Sequence, residues 1–191
     1  MIVVVFGPPG SGKGTQAALV AKRTGLPHVA TGDILRAETA KGSPLGREVE
    51  PIMRSGHLVP DDLVVRVIEA RLAEPDAASG ALLDGFPRTV PQAVALDEML
   101  ASNGRQVDVV VALNVPEDVL AERVRRRAPE GRPDDTPEAF IKRLHVYRTE
   151  TAPVLDYYRG KGTCVAEVDG VGDVVAVTER ITGALAAGQA S

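Results

Sequence analysis

Short runs of β-branched and aliphatic residues alternate, along the 191-residue chain, with segments whose apolar positions recur at helical spacing. That alternation predicts an α/β fold, a parallel sheet covered by helices. The apolar runs place strands at 2–6, 27–30, 81–84, 109–115 and 163–168. Val109-Val110-Val111-Ala112-Leu113 is apolar without alternation, as a strand buried on both faces must be. Helical spacing covers 13–24, 32–41, 45–54, 61–74, 90–101, 116–127, 137–159 and 173–187. Five strands of this kind make a small doubly wound domain.

Two stretches break the strand-helix rhythm. Residues 31–74 hold three successive helical patterns with no strand among them, interrupted at Gly42-Ser43-Pro44 and at Gly56-His57-Leu58-Val59-Pro60. They read as a helical insert standing off the sheet. Residues 128–136 are rich in turn formers and polar groups and read as a short mobile loop between two helices. The expected division is therefore a core of 1–30, 75–127 and 137–191, an insert at 31–74 and a loop at 128–136. The Gly-Ala-Gln end is expected to fray.

Composition narrows the function classes. At 44% apolar and 25% charged residues, the chain can bury a core. Aromatics amount to 3%, too few for a base-stacking surface, and a net charge of −4 does not suit a protein that binds DNA or anionic membranes through positive charge. No nucleic-acid or membrane partner is expected. The single cysteine, Cys164, cannot form an internal disulfide or a Cys-rich zinc site, which suits a reducing compartment. The N-terminus lacks a basic region ahead of its apolar run, so neither a signal peptide nor a membrane span is expected, and a cytoplasmic location is. Of the basic residues 17 are Arg and 5 are Lys; the excess of planar forks suits phosphate oxygens but is equally compatible with coding bias.

The first strand runs into Gly7-Pro8-Pro9-Gly10-Ser11-Gly12-Lys13-Gly14-Thr15, which opens a helix. This is the order of a P-loop: glycines let successive backbone N–H groups turn inward around an anion, the helix N-terminus adds partial positive charge, and the lysine reaches the β and γ phosphates. One departure stands out. The residue after the lysine is Gly14, where the motif usually carries a hydroxyl for Mg²⁺, so the metal is expected to be held by nucleotide oxygens and by waters that carboxylates order. Asp84, ending the run Ala81-Leu82-Leu83, and Asp33, just after the second strand, stand at the carboxyl ends of strands, where ligands of such sheets bind. Either could instead be a helix cap or turn former.

Further segments carry a resemblance. Thr31-Gly32-Asp33-Ile34-Leu35-Arg36, Leu83-Asp84-Gly85-Phe86-Pro87-Arg88-Thr89 with Gln92, Arg132-Pro133-Asp134-Asp135 and Val168-Asp169-Gly170 follow the P-loop in order. Together these segments resemble the adenylate kinases of the short-lid type over nearly the whole chain. The resemblance implies a P-loop three-layer fold in which 31–74 is the AMP-binding insert and 128–136 the lid. It implies ATP over Gly10, Ser11, Gly12, Lys13, Gly14 and Thr15. It further implies AMP held by Thr31 and Gln92 at the base, Met53 and Val59 along the pocket, Arg36 and Arg88 at the phosphate, and Gly85 and the His57 backbone nearby. The cofactor implied is Mg²⁺ with ATP, near Asp84 and Asp33.

The arginines of the last third allow a geometric test. At about 100° per residue, with Val119 at 0°, Leu120 falls near 100° and Val124 near 140°, while Arg123 falls near 40° and Arg127 near 80°. Both arginines share the apolar face, whereas Arg125 and Arg126, near about 240° and 340°, read as solvated. The resemblance puts Arg123 beside the ATP adenine, Arg127 on phosphate, Gly172 in backbone contact with the ATP base, and Arg132 and Arg143 around the transferred phosphoryl group and AMP. Lys13, Arg88, Arg127, Arg132 and Arg143 are thus the expected catalytic set. Asp135 with Glu138, and Pro137 between them, reads as the start of the next helix. The loop holds neither Cys nor His, so no zinc is expected there.

His28, His57 and His145 show no metal-ligand spacing, and Tyr147, Tyr157 and Tyr158 read as packing residues. The activity implied is reversible transfer of the terminal phosphoryl group of ATP to AMP by a monomer. A UMP or CMP kinase on the same scaffold is the nearest alternative. A regulatory P-loop protein is a more distant one, and no Asn-Lys-x-Asp guanine reader occurs.

Overall fold

In the computed structural model the described residues are 1–127 and 136–188. Within them β1 (Ile2–Phe6), β2 (His28–Ala30), β3 (Ala81–Asp84), β4 (Val109–Asn114) and β5 (Cys164–Asp169) form one sheet. Every pairing is parallel and the order is β2-β3-β1-β4-β5. The central strand β1 is buried throughout. Its side chains divide by the period of two: Ile2, Val4 and Phe6 join an apolar cluster on one face, Val3 and Val5 one on the other.

α1 (Lys13–Thr24) and α9 (Val174–Gly188) cover the Val3 and Val5 face through Ala17, Val20, Val177 and Ile181. The opposite face takes α5 (Val90–Ala101) and α8 (Ala152–Gly160), joined there by α2 (Thr31–Lys41), α3 (Pro44–Ser55) and α4 (Asp61–Leu72). Leu35, Val49, Val64 and Ile68 of these last three share one cluster with Ile2, Val4 and Leu83 of the sheet. A third, small cluster of Leu120, Val124 and Phe140 joins α6 (Glu117–Arg127) to α7 (Pro137–Val146).

Glycine permits a close contact between α2 and α3. Gly42 N–H and Ser43 N–H both donate to Glu38 O, and Gly46 of α3 lies against the same carbonyl. A Cβ at Gly46 would stand 2.1 Å from Glu38 O and 2.6 Å from Thr39 Cα, so any side chain here must force the two helices apart.

One expected helix is interrupted. The pattern at 137–159 predicts a single helix, but after α7 the chain widens into a π-turn at Tyr147–Thr151 before α8 resumes. Pro153 has no N–H to donate and its ring crowds the carbonyl four residues back, and a wider turn just ahead accommodates both effects. No described helix is long and apolar enough to cross a membrane.

Candidate active site

The strand order reverses direction at β1, whose neighbours are β3 and β4, and a ligand crevice is expected beyond the carboxyl ends there. Register fixes what meets in it. Val5 pairs with Asp84, so the carboxylate stands beside the residues that lead into the P-loop. Gly10 and Gly12 take positive φ, 84° and 89°, and Gly12 caps α1. A Cβ at Gly10 would come within 3.0 Å of Leu120 O and Val124 Cγ2, so α6 backs the loop closely. Lys13 is the first residue of α1, at the positive end of its dipole.

Asp84 is 9% exposed. Burial acts against its charge, yet His28 and the cations of Lys13 and Arg88 outweigh burial and hold its carboxyl below the usual carboxylate range. His28 Nε2 lies 3.6 Å from Asp84 Oδ2, an ion-pair distance rather than a hydrogen bond. The pairing explains this: His28 faces Leu82, so it shares a sheet face with Asp84 two residues on. A Cβ at Gly14 would stand 3.3 Å from Asp84 Oδ2, which gives a spatial reason for glycine after the lysine.

Thr31 opens α2. Its side chain is buried, and Oγ1 has no hydrogen-bond partner in the protein. Arg36 donates to Asp33 at 2.5 Å. The Arg88 guanidinium is anchored by Nε, which donates to Gly85 O at 2.9 Å. Gln92, 2% exposed, accepts from Arg88 N–H at 2.7 Å and donates through Nε2 to Asp61 Oδ1 at 2.7 Å. Gly56, at the end of α3, abuts Ala139 O and Arg143 Cγ of α7.

A cleft of about 460 Å³ gathers these groups. Its walls carry Gly10, Gly12, Lys13, Gly14, Thr15 and Asp84, together with Thr31, Asp33, Arg36, Met53, His57, Val59, Gly85, Arg88, Gln92 and Arg143. Ser11, Arg123 and Gly172 lie outside its lining. The Ser11 hydroxyl turns beneath the loop, where a Cβ at Gly7 would stand 2.5 Å from it. Arg123 sits half-buried, as its helical angle requires, and its guanidinium is a brace: it donates to Ser11 O at 3.0 Å and to Gly170 O at 2.9 Å. The Arg127 side chain, Arg132 and Asp135 lie outside the described residues. The cap of α7 is Thr136 rather than Asp135: extended at φ −85°, ψ 156°, it accepts from Ala139 N–H at 3.1 Å.

Three side chains at the site escape the sequence reasoning. His28 and Tyr147 line the cleft, and Asp61 holds Gln92 from outside it. A lone histidine or tyrosine carries no periodic signal. For His28 the available clue was its place in the strand that leads to Thr31.

A buried anion cradle joined by one cleft to a second cluster of arginines and a buried, unpaired hydroxyl defines a P-loop nucleotide phosphotransferase with two nucleotide sites. Comparison with known proteins agrees and is narrower. The family profile described as adenylate kinase matches residues 5–163. An adenylate kinase of Stenotrophomonas maltophilia K279a is 50% identical over 98% of this chain and all of its own length. Those of Xanthomonas euvesicatoria and Nocardia farcinica are 51% and 50% identical, each over 97% of this chain and 99% of theirs. The chain belongs to the adenylate kinase family and is an enzyme of that kind.

Proposed function

We propose that the enzyme transfers the terminal phosphoryl group of ATP to AMP, reversibly, giving two ADP, with ATP at the P-loop side of the cleft and AMP at the Thr31 side. The observation that carries the reading is the cleft itself, which gathers Lys13, Arg36, Arg88 and Arg143 with a buried unpaired hydroxyl at Thr31. In the forward direction an oxygen of the AMP phosphate forms a bond to the γ-phosphorus of ATP. The bond from that phosphorus to the β–γ bridging oxygen breaks, and the electron pair leaves with ADP. The attacking group is already an anion, so no general base is required. Catalysis rests on positioning and on positive charge from Lys13, Arg88, Arg127, Arg132 and Arg143.

Mg²⁺ suits the groups present. The described residues contain no cluster of three His, Cys, Asp or Glu able to cage a metal. Asp84, ionised and stationed over Gly14, fits an ion held mainly by phosphate oxygens and waters. Asp84 and Asp33 would order those waters, and the ion would supply charge neutralisation at the transferring phosphoryl group. Residues 31–74 act as the AMP-binding insert and 128–136 as a short lid that brings Arg132 to the phosphates and excludes water, which would otherwise turn transfer into ATP hydrolysis. The enzyme works as a cytoplasmic monomer without nucleic-acid or membrane partners.

ADP formation from Mg-ATP with AMP, UMP, CMP and GMP in turn tests the reading: AMP is expected to give the highest kcat/KM. UMP or CMP outrunning AMP rejects the base assignment. Arg88→Ala is expected to lower kcat by roughly 10³-fold or more in a folded protein, as for other arginines that meet a transferring phosphoryl group. Normal turnover would remove Arg88 from the mechanism.

A further inference from the structure

Gln92 spends half of its hydrogen-bonding capacity inside the protein. Oε1 accepts from the Arg88 backbone N–H at 2.7 Å, and one Nε2 proton goes to Asp61 Oδ1 at 2.7 Å. The two neighbours have fixed and opposite polarity: a backbone N–H only donates and a carboxylate only accepts. Amide orientation is therefore dictated by its surroundings rather than free to reverse. Asp61 is itself fixed from the other side, because Thr89 Oγ1 donates to its Oδ2 at 3.0 Å while accepting the Gln92 backbone N–H at 3.2 Å. The first residue of α4, on the insert, is thus tied to the N-terminal turn of α5, on the core.

We infer that Asp61 is a positioning residue for acceptor-base specificity: by holding the Gln92 amide in one orientation, it makes the site read a 6-aminopurine and reject a 6-oxopurine. The inference rests on the proposed placement of the AMP base against Thr31 and Gln92. With its two internal bonds made, Gln92 keeps one N–H and one carbonyl lone pair. An adenine edge offers an acceptor at N1 and a donor at the 6-amino group, and this pair complements it. A 6-oxopurine reverses both, with N1–H a donor and O6 an acceptor. To match it, the amide must turn over, which sets the Gln92 oxygen against the Asp61 carboxylate and its NH₂ against the Arg88 N–H. In a site this buried, two contacts between like poles weigh heavily. Asp61 thus acts without touching the nucleotide.

The test is Asp61→Asn, which keeps shape and hydrogen bonding but can turn together with Gln92. It is assayed with Mg-ATP and either AMP or IMP, beside Asp61→Ala and Gln92→Leu, with each protein's thermal unfolding recorded. In Asp61→Asn, KM for AMP and for ATP are expected within about twofold of the parent, while the AMP-to-IMP ratio of kcat/KM falls about tenfold. In Asp61→Ala the ratio falls at least as far and KM for AMP rises. If the ratio holds in both Asp61 variants but collapses in Gln92→Leu, Gln92 reads the base unaided and the inference is overturned. A ratio unchanged in all three variants overturns the placement of the base as well. Equal losses for AMP, IMP and ATP would mark Asp61 as merely structural and also refute the inference.

Discussion

Gly46→Ala tests whether the insert is built on the close approach of α2 and α3. The added methyl would sit 2.1 Å from Glu38 O, 2.4 Å from Glu38 C and 2.6 Å from Thr39 Cα. All three are backbone atoms of a helix end, so no side chain can swing away. Glu38 O is further pinned by the N–H groups of Gly42 and Ser43 and by the Ser43 hydroxyl. Restoring ordinary contact moves α3 outward by roughly 1 Å, which loosens Val49, 0% exposed, from the cluster it shares with the sheet. Overpacking of this kind costs about 1–3 kcal/mol, and at about 2–4 °C per kcal/mol for a chain this long the melting temperature should drop by roughly 3–10 °C. Met53 lies on the same helix and lines the cleft, so KM for AMP should rise several-fold while KM for ATP stays within about twofold. Circular dichroism melts and initial-rate kinetics read both effects. A variant that melts within 1 °C of the parent would show that the crossing relaxes freely and would refute the reasoning.

Thr31→Val replaces a buried hydroxyl that has no protein partner with an isosteric methyl. The unliganded protein should be as stable as the parent or more so, while KM for AMP rises roughly 3- to 10-fold from the loss of one hydrogen bond; lower stability with unchanged KM would contradict the assignment. Asp84 sets a pH dependence. Its folded pKa lies below the unfolded one, so its contribution is present above the unfolded carboxylate range near pH 4 and is lost as pH falls through the lower folded value. Urea midpoints between pH 5 and 3 should therefore decline less steeply in Asp84→Asn than in the parent, and identical slopes would remove Asp84 as a source of acid sensitivity.

The elements and the site were legible to different depths. Strands and helices follow from short-range periodicity, and the observed bounds of β1, β3 and α1 coincide with those expected from the apolar pattern. The P-loop was legible because its glycines, lysine and helix start are contiguous, and the burial of Arg123 because its helical angle, about 40°, put it on the face of Leu120 and Val124. Local pattern also misleads where a nearby residue competes. Thr136 outbids Asp135 as the α7 cap, and Pro153 opens a π-turn in a stretch whose apolar spacing is uninterrupted.

Pairings between distant positions lie beyond periodicity. Asp61 meets Gln92 across 31 residues, and Arg123 bridges Ser11 and Gly170 across 112 and 47. His28 reaches Asp84 because parallel pairing sets it against Leu82. Glycine is favoured at position 46 because another helix end occupies the space beside it. Apolar spacing records which face of an element is buried, since burial acts on each residue where it stands. Which partner a polar side chain meets depends on strand order and helix crossing, and these are settled only when the whole core closes.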